Sequence, residues 1–556
     1  MTGAMAGMVV SGVSLCAHIL HWLFYDVPFN TGLSGNVFAR GPHIVLIPAL
    51  GGVLTTLILH LRRRRGAVVD PIEANALYGG RMSLTDSIWV TLQNLASNGF
   101  GLSVGMEAAY TQLSSGLASK LGLKLKLRRE DMRVLVGCGS AGAIAAAFNA
   151  PLTGSFYAFE LIIGAYSAVS LAPVIAAAIT ATLVSNALTG HAFKVDIGHI
   201  GPISAVDFLP ALALGGICAG FGILVMVAVV RTERLASSSR IPVWLRPAIG
   251  GLLVGALGLV TPQVLSSGHG ALNLNLENDV LWTSLVLLFL LKAASSALTI
   301  GTGFRGGLFF ASLLLGALLG KSLALPLEWL FPGMLSAPAM SLIGMSAFGV
   351  AVIGGPLTMT FLALEMTGEF PIAALVLAAA ITSSMVVRQT FGYSFSTWRF
   401  HLRGESIRSA HDVGWIRNLT VARLMRRDVP TARMDLTPGE FREAFPLGSA
   451  KHVVVAGDSG TYVATIQVAD VHADADGVEP RGDLSDFFQH QQDVLLPGMN
   501  ARQAAGIFEA KRAEALAVVS DRVERRVVGL LSEAHTLRRY SEELDKQRRN
   551  MIGAMD

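Results

Sequence analysis

Charged residues are scarce in the first 400 positions of this 556-residue chain. Positions 1–400 hold only 38 of them, whereas 401–556 hold 44. Soluble domains usually carry about 25% charged residues, so this scarcity excludes a soluble fold for the first part. We expect a membrane domain at 1–400, a linker at 401–418 and a soluble domain after it.

Cysteine is also rare, and the usual signatures of hydrolases are missing. Cys16, Cys138 and Cys218 lie in apolar segments without metal-ligand spacing, so we interpret them as packing residues. Neither a nucleophile elbow nor a His-Glu-x-x-His motif occurs, and the net charge is only +4. The sequence therefore predicts no catalytic residues, no metal site, no enzyme and no nucleic-acid partner.

Long apolar runs are present, but several are too short to span a bilayer or are interrupted by glycine and proline. A spanning helix needs about 20 apolar residues, and irregular backbone at membrane depth must be enclosed by protein or line a water-filled cavity. We therefore expect discontinuous or tilted helices. Basic clusters at 62–65, 120–133 and 231–240 predict the cytoplasmic side, where we also expect the soluble domain. The runs lie at about 3–25, 42–61, 88–105, 133–163, 168–189, 208–230, 246–260, 280–300, 307–325, 339–366 and 371–390.

One motif occurs twice. "PLTGSFYAFEL" at 151–161 returns as "PLTMTFLALEM" at 356–366, and the matching residues, Glu160 and Glu365 among them, are 205 positions apart. Gly139 matches Gly344, and Gly101 matches Gly306, at the same offset. Two homologous halves, about 1–190 and 200–400, indicate a transporter or channel whose site lies between inverted repeats near the bilayer midplane.

A glycine-rich segment precedes this motif in each half, at 98–109 and 301–312, and runs into an apolar helix. Glycine lets a ligand approach backbone N–H groups closely, and the positive end of a helix dipole favours an anion. The two segments together predict an anion site without lysine or arginine. The alternative is that the glycines only allow close helix packing.

Glu107 is the only carboxylate between Ser87 and Ser119. A charged side chain at the bilayer centre costs roughly 3 kcal/mol or more, and such residues usually have a function. The alternative is a structural carboxylate paired with a buried donor.

At these residues the sequence resembles the CLC family of chloride channels and proton-coupled chloride transporters. "VGMEAA" at 104–109 stands where the family has Gly-Arg/Lys-Glu-Gly-Pro, and "GGLFFA" at 306–311 stands where Gly-x-Phe-x-Pro is expected. "AAFNAPL" at 146–152 is the most specific match, and "DPIEANAL" at 70–77 resembles the end of the Gly-Ser-Gly-Ile-Pro segment. The motifs keep the family order across most of 1–400.

The resemblance implies an all-α polytopic membrane fold with two inverted repeats, in a homodimer with a separate pore in each subunit. It places the chain as a divergent prokaryotic-type member in the bacterial inner membrane. Glu107 takes the position of the gating glutamate, which competes with chloride and carries protons. The backbone amides that would hold the anion are those of Met106, Ala108, Leu308 and Phe309.

Three positions depart from the family pattern. The anion-coordinating serine falls on Val68, and the tyrosine of the inner anion site falls by register on Ser396, with Tyr393 as the other candidate. The inner proton-relay glutamate is replaced by Leu161, which carries no proton. Glu160, with its counterpart Glu365, is expected to have a repeated structural role such as capping or pairing.

Residues 419–540 contain two similar units, each predicted as a helix, two strands and a helix. Their order resembles paired CBS domains, small α/β modules that sometimes bind adenine nucleotides. Neither unit has the complete nucleotide-binding pair, so a dimerisation or regulatory module without a cofactor is the first reading, and an adenine nucleotide is the alternative. We expect a charged terminal helix at 541–556. The positions concerned are Gln467, Asp470, Ser532 and His535.

Three functions follow from these readings. Leu161 favours passive or weakly proton-coupled permeation of chloride or a similar anion. A proton-coupled anion exchanger would need a substitute for the lost inner relay. A poorly conducting membrane sensor with a regulatory tail is the third alternative.

Overall fold

The computed structural model describes residues 1–28, 32–36, 41–62, 66, 68–190, 203–278, 280–402, 419–457, 459–473 and 483–552. The chain forms two compact units, Met1–Asp412 and Val413–Asp556. We call them the membrane unit and the tail. Most of the predicted linker, 403–418, lies outside the described residues.

The membrane unit is helical, and eight of its described helices are long and apolar enough to cross a membrane. This confirms the predicted all-α polytopic class. The helices are α1 (Thr2–Tyr25), α2 (His43–Arg62), α3 (Pro71–Leu77), α4 (Leu84–Gly99), α5 (Glu107–Lys124), α6 (Arg129–Phe148), α7 (Pro151–Tyr157), α8 (Ala168–Thr189), α9 (Phe208–Ser238), α10 (Arg246–Val260), α11 (His269–Glu277), α12 (Trp282–Gly301), α13 (Phe309–Leu330), α14 (Ala337–Ile353), α15 (Pro356–Thr367), α16 (Phe370–Thr390) and α17 (Phe395–Leu402).

Two of the long apolar runs are broken just before the repeated Pro-Leu-Thr motif. The run at 133–163 breaks at Asn149, whose φ of 53° is left-handed. The run at 339–366 breaks at Gly354, with a φ of 84°. In each case a proline then starts a new helix, because proline is well suited to the first turn, where its missing N–H is not needed.

Helices α4 to α8 return in the same order as α12 to α16. At the crossing of α5 with α6, a side chain on Gly139 would overlap the backbone of Ser114. At the equivalent crossing of α13 with α14, a side chain on Gly344 would overlap the backbone of Gly316. The two glycines, 205 positions apart, therefore allow the same close helix contact in both repeats.

The two repeats have different interiors. The main apolar core is built largely from α9 and α12 to α16. In contrast, α4 and α5 bury polar side chains, including Gln93, Asn94, Asn98 and Gln112. Buried amides need hydrogen-bond partners, and the partners here are backbone groups next to the candidate site.

The tail is a small α/β unit. Its first half pairs β1 (Thr431–Arg433) with β2 (His452–Ala456) in parallel, and β2 with β3 (Tyr462–Gln467) in antiparallel register. The second half pairs β4 (Ala515–Val519) with β5 (Val527–Ser532) in antiparallel register. The tail helices are α18 (Val421–Leu424), α19 (Pro438–Ala444), α20 (Val468–Ala473), α21 (Ala501–Lys511) and α22 (Glu533–Ile552).

Each half of the tail has the predicted order of helix, two strands and helix. The helices α19 and α21 both begin with a capping box, formed by Thr437 with Glu440 and by Asn500 with Gln503. Since α22 runs unbroken from Glu533 to Ile552, the predicted terminal helix continues the last helix of the second unit.

Candidate functional site

The two glycine-rich segments meet backbone to backbone. The N–H of Gly105 donates to the carbonyl of Gly307 at 2.9 Å, and the N–H of Gly307 donates to the carbonyl of Gly105 at 3.3 Å. Helices α5 and α13 begin two residues later. Two helix N-termini, whose first N–H groups have no partner within their own helix, therefore converge on one place.

This pairing corrects the register expected from the sequence. Gly105 and Gly307 are 202 positions apart, as are the first residues of α5 and α13. The match of Gly101 with Gly306 at offset 205 is therefore wrong. The offset changes only after these helix starts, since α13 has 22 residues and α5 has 18, and it is 205 at Gly139 and Gly344 in the helices that follow.

Buried amides of α4 hold the first glycine-rich segment. Asn94 Nδ2 donates to the carbonyl of Gly105 at 3.2 Å, and Asn98 Nδ2 donates to the carbonyl of Val104 at 2.7 Å. The Ser103 hydroxyl also lies 3.0 Å from that of Ser296. These contacts fix the backbone, so the N–H groups that follow point in defined directions.

Glu107 is the first residue of α5 and is only 5% exposed. Its carboxylate lies against the paired glycines: a methyl group on Gly105 would overlap Oε2, and one on Gly307 would lie 3.5 Å from it. The backbone N–H groups of Glu107 and Phe310 face the carboxylate as donors. Oε2 has no hydrogen-bond partner among the described residues. The carboxylate thus occupies the place where two helix N-termini would attract an anion.

A cavity of about 550 Å³ opens beside Glu107. It brings together residues from eight separate stretches of the membrane unit, between Val68 and Arg399. Gln112 Nε2 donates to the carbonyl of Val69 at 2.9 Å and so ties the segment that carries Val68 to α5. The predicted site residues that line the cavity are Val68, Glu107, Ala108, Leu308, Phe309 and Ser396.

Three predicted site residues do not line this cavity. Met106 is buried in an apolar cluster with residues of α1 and α6. Tyr393 lies in the turn before α17, and Ser396 takes the lining position instead. Leu161 belongs to a small apolar cluster with Val69 and Ile72 and therefore carries no polar group toward the path.

The cavity also includes residues that the sequence reading did not assign to the site. Tyr157 contributes an aromatic hydroxyl, Asp70 and Glu233 contribute carboxylates, and Arg305 and Arg399 contribute cations. A signal for Asp70 was available, because it directly precedes Pro71 in a typical helix start and accepts a hydrogen bond from the Glu73 N–H at 2.9 Å. No comparable signal marked Glu233 or the arginines.

Glu160 and Glu365 cap each other's helices. The Glu160 carboxylate accepts hydrogen bonds from the N–H groups of Leu357 and Thr358, at 3.0 and 2.8 Å, and from the Thr358 hydroxyl at 2.6 Å. The Glu365 carboxylate accepts the equivalent set from Leu152 and Thr153, at 2.7, 2.8 and 2.6 Å. The predicted capping role is confirmed for both residues.

The helix that carries Glu160 ends differently from its counterpart. Helix α7 passes at Ala158 into a π turn, Ala158–Ile163, which closes when the Gly164 N–H donates to the Phe159 carbonyl. In α15 the Gly368 N–H donates to the Leu364 carbonyl, one residue fewer. Phe159 and Leu364 are 205 positions apart but the glycines only 204, so the π turn takes up one additional residue, typical of a π-bulge.

The tail positions considered for a nucleotide are engaged in local contacts. Gln489 Nε2 donates to Asp470 Oδ2 at 2.9 Å, and the Ser532 hydroxyl accepts from the His535 N–H at 3.4 Å. Gln467 ends β3. These contacts organise the ends of strands and the starts of helices.

Comparison with known proteins places this geometry in a family. The family model described as voltage-gated chloride channel matches residues 50–388, which is more than half of the chain. The Escherichia coli protein named voltage-gated ClC-type chloride channel ClcB is 29% identical over 397 residues, covering 69% of this chain and 94% of that protein.

Solved structures share the fold. A slow cyanobacterial Cl⁻/H⁺ antiporter matches with a TM-score of 0.64 and 18% identity, over 72% of this chain and 96% of its own. A eukaryotic CLC transporter matches with a TM-score of 0.61 and 18% identity, over 96% of both chains.

Proposed function

The chain belongs to the voltage-gated chloride channel family, the CLC proteins, which move anions across membranes, and we propose that chloride or a similar small anion permeates it through a pore gated by Glu107. The observation that supports this proposal is the position of the Glu107 carboxylate. It lies between the paired glycines at two helix N-termini, on the wall of the cavity. The anion would be held by the backbone N–H groups of Met106, Ala108, Leu308 and Phe309.

Gating follows from the competition between two negative charges for one place. While Glu107 is ionised, its carboxylate occupies the seat that the N–H groups and helix dipoles make favourable for an anion. Protonation removes that attraction, so the neutral side chain leaves the seat and an anion enters. Acid pH therefore increases permeation.

We propose that this permeation is passive or only weakly coupled to protons. Leu161 contributes no titrating group at the inner relay position, and Glu160 beside it is committed to capping α15. Protons thus lack the usual carboxylate on their way to Glu107.

A proton-coupled exchanger is the second candidate, because Asp70 and Glu233 line the same cavity as Glu107. Either carboxylate could take over the relay from the cytoplasmic side. The matching cyanobacterial structure is described as a Cl⁻/H⁺ antiporter.

The rest of the assembly is proposed on the family resemblance. The protein is an integral membrane protein, and we place it in a bacterial inner membrane as a homodimer with one pore in each subunit. The tail would be a cytoplasmic CBS-like pair that serves dimerisation or regulation, because both halves have the expected order of elements.

Flux from reconstituted liposomes tests these proposals. Chloride efflux is followed with an electrode while external pH is recorded, with potassium and valinomycin setting the voltage. We expect chloride efflux that rises at acid pH without proton movement in a fixed ratio. A fixed proton-to-chloride ratio would establish the exchanger instead, and absence of flux for every anion tried would overturn permeation itself.

A further inference from the structure

The inner part of the cavity has few hydroxyl groups for an anion. Val68 has none, and Ser396 carries a short one where the family has a tyrosine. The Thr111 hydroxyl also lines the cavity but donates to the Glu107 carbonyl at 2.8 Å. A chloride ion that leaves water for this cavity loses hydrogen bonds, and the site must replace them.

Tyr157, which carries a phenol hydroxyl, lines the same cavity. It is the last residue of α7, directly before the π turn. Its ring packs against that of Phe309, with 6.0 Å between centroids and 50° between planes. Its hydroxyl makes no hydrogen bond to the described residues, and its oxygen is not one of the fully buried polar atoms that lack a partner. A phenol donor therefore faces the cavity beside the start of α13, without a protein partner.

The other repeat shows that packing does not require this phenol. The residue 205 positions after Tyr157 is Leu362, which is completely buried in the regular helix α15. In α7 the same position has a half-buried aromatic ring, next to the additional residue of the π turn. A hydroxyl that has no protein partner and belongs to a cavity-lining side chain is available to a ligand in that cavity.

We propose that the Tyr157 hydroxyl donates a hydrogen bond to the permeating anion, in place of the hydroxyl missing at Val68 and of the longer tyrosine replaced by Ser396. The anion is a small, strongly hydrogen-bonding one such as chloride, and Tyr157 is a specificity-determining residue of the pore. This inference rests on the proposed anion permeation. The charged residues that line the cavity with it are Asp70, Glu107, Glu233, Arg305 and Arg399.

Tyr157→Phe isolates the hydroxyl, because it keeps the ring that packs against Phe309. Chloride binding to the purified full-length protein is measured by titration calorimetry in chloride-free buffer at constant pH. A hydrogen bond to a charged group is worth enough to weaken binding about tenfold or more when it is lost. Thiocyanate, a poor hydrogen-bond acceptor, should lose much less. The control is Tyr78→Phe, which removes a phenol from an exposed side chain and should bind chloride as the wild type does.

A second variant tests the substitution by rescue. Val68→Ser in the Tyr157→Phe background returns a hydroxyl to the place where the family has one, and we expect it to recover most of the lost chloride affinity. Unchanged chloride affinity in Tyr157→Phe, with wild-type binding intact, would overturn the role of Tyr157 and leave permeation standing. A change confined to the pH dependence of flux would assign the hydroxyl to Glu107 and also overturn it. Absence of chloride binding and flux in the wild type would overturn the proposed function itself.

Discussion

Equivalent residues of the two membrane repeats make the same contacts at three places. Gly105 and Gly307 hydrogen-bond to each other, Glu160 and Glu365 cap each other's helices, and the rings of Phe156 and Phe361 stack with centroids 4.1 Å apart. Residues that contact their own counterparts must lie on or near the two-fold axis that relates the repeats. We call the part of the membrane unit that these shared contacts hold together the frame.

The repeats differ where they line the cavity. The first residue of α5 is Glu107, whereas the first residue of α13 is Phe309. Tyr157 before the π turn corresponds to Leu362 in a regular helix. In each pair the first repeat supplies the polar group and the second the apolar one. The frame is therefore symmetric and the chemistry is not, which makes function testable separately from folding.

Removal of either reciprocal helix cap should have the largest effect on stability, and the two effects should be equal. Glu160→Ala and Glu365→Ala each remove a carboxylate that accepts two backbone N–H groups and one hydroxyl, so we expect each to cost about 3 kcal/mol of unfolding free energy. Chemical unfolding of the detergent-solubilised protein measures it. Glu369→Ala, at an exposed carboxylate, is the control. A marked inequality between the two caps would show that the frame is not symmetric.

Glu107→Gln should change flux and leave the frame intact. Above the pH at which a carboxyl titrates, its neutral fraction falls about tenfold per pH unit, so the permanently neutral glutamine should conduct about tenfold faster or more at alkaline pH. Liposome chloride efflux between pH 4.5 and 8 measures this, and the variant should be flat. Wild-type pH dependence in Glu107→Gln would remove Glu107 from the gate.

Alanine substitutions at Gly105 and Gly307 compare the effect of the backbone bridge on flux with the effect of the Glu107 carboxylate. Alanine at Gly105 overlaps the Glu107 carboxylate, whereas alanine at Gly307 would lie in ordinary contact with it. Overpacking at Gly105 should destabilise the bound position of the carboxylate by about 1 kcal/mol. This corresponds to an about fivefold change in how often the carboxylate occupies that position. We expect Gly105→Ala to raise chloride efflux at pH 7.5 by about this factor and Gly307→Ala to match the wild type. Equal effects would mean that the bridge, and not the carboxylate, controls flux.

The two halves of the tail can be compared in the same way, and we expect smaller effects on the free energy of unfolding. Thr437→Ala and Asn500→Ala each remove one side of a capping box, which should cost roughly 0.5–1 kcal/mol apiece. Urea unfolding of the isolated tail measures both. Unchanged chloride flux in the full chain is the companion result, and a large loss of flux would instead give the tail a direct part in permeation.

The sequence predicted much of the frame because the frame depends on residue types that have few structural uses. Proline at a helix start, glycine at a close crossing and an acid in an apolar run each have a narrow set of physical uses. Interruption of the apolar runs by glycine and proline, and a repeated structural role for Glu160 and Glu365, were predicted in this way. Glu107 does begin α5 at the meeting of the glycine-rich segments, while its gating role stays a prediction.

What the sequence did not reveal depends on small differences in chain length. The glycine register was wrong because the offset between the repeats is 202 at the starts of α5 and α13 and becomes 205 only in the helices that follow them. The inward direction of Tyr157 depends on local backbone geometry beside the π turn. The change in spacing between Glu160 and Gly164, against Glu365 and Gly368, was the only sequence trace of that turn.

The hydrogen-bonded pair of Gly105 and Gly307 has one more consequence. Two identical halves joined there would make a passage that looks the same from both faces of the membrane and cannot tell inward from outward. A single acid, present on one half and absent from its partner, gives the passage a polarity. The two halves thus differ at the residue that follows the bridge by two positions, where the first has Glu107 and the second has Phe309.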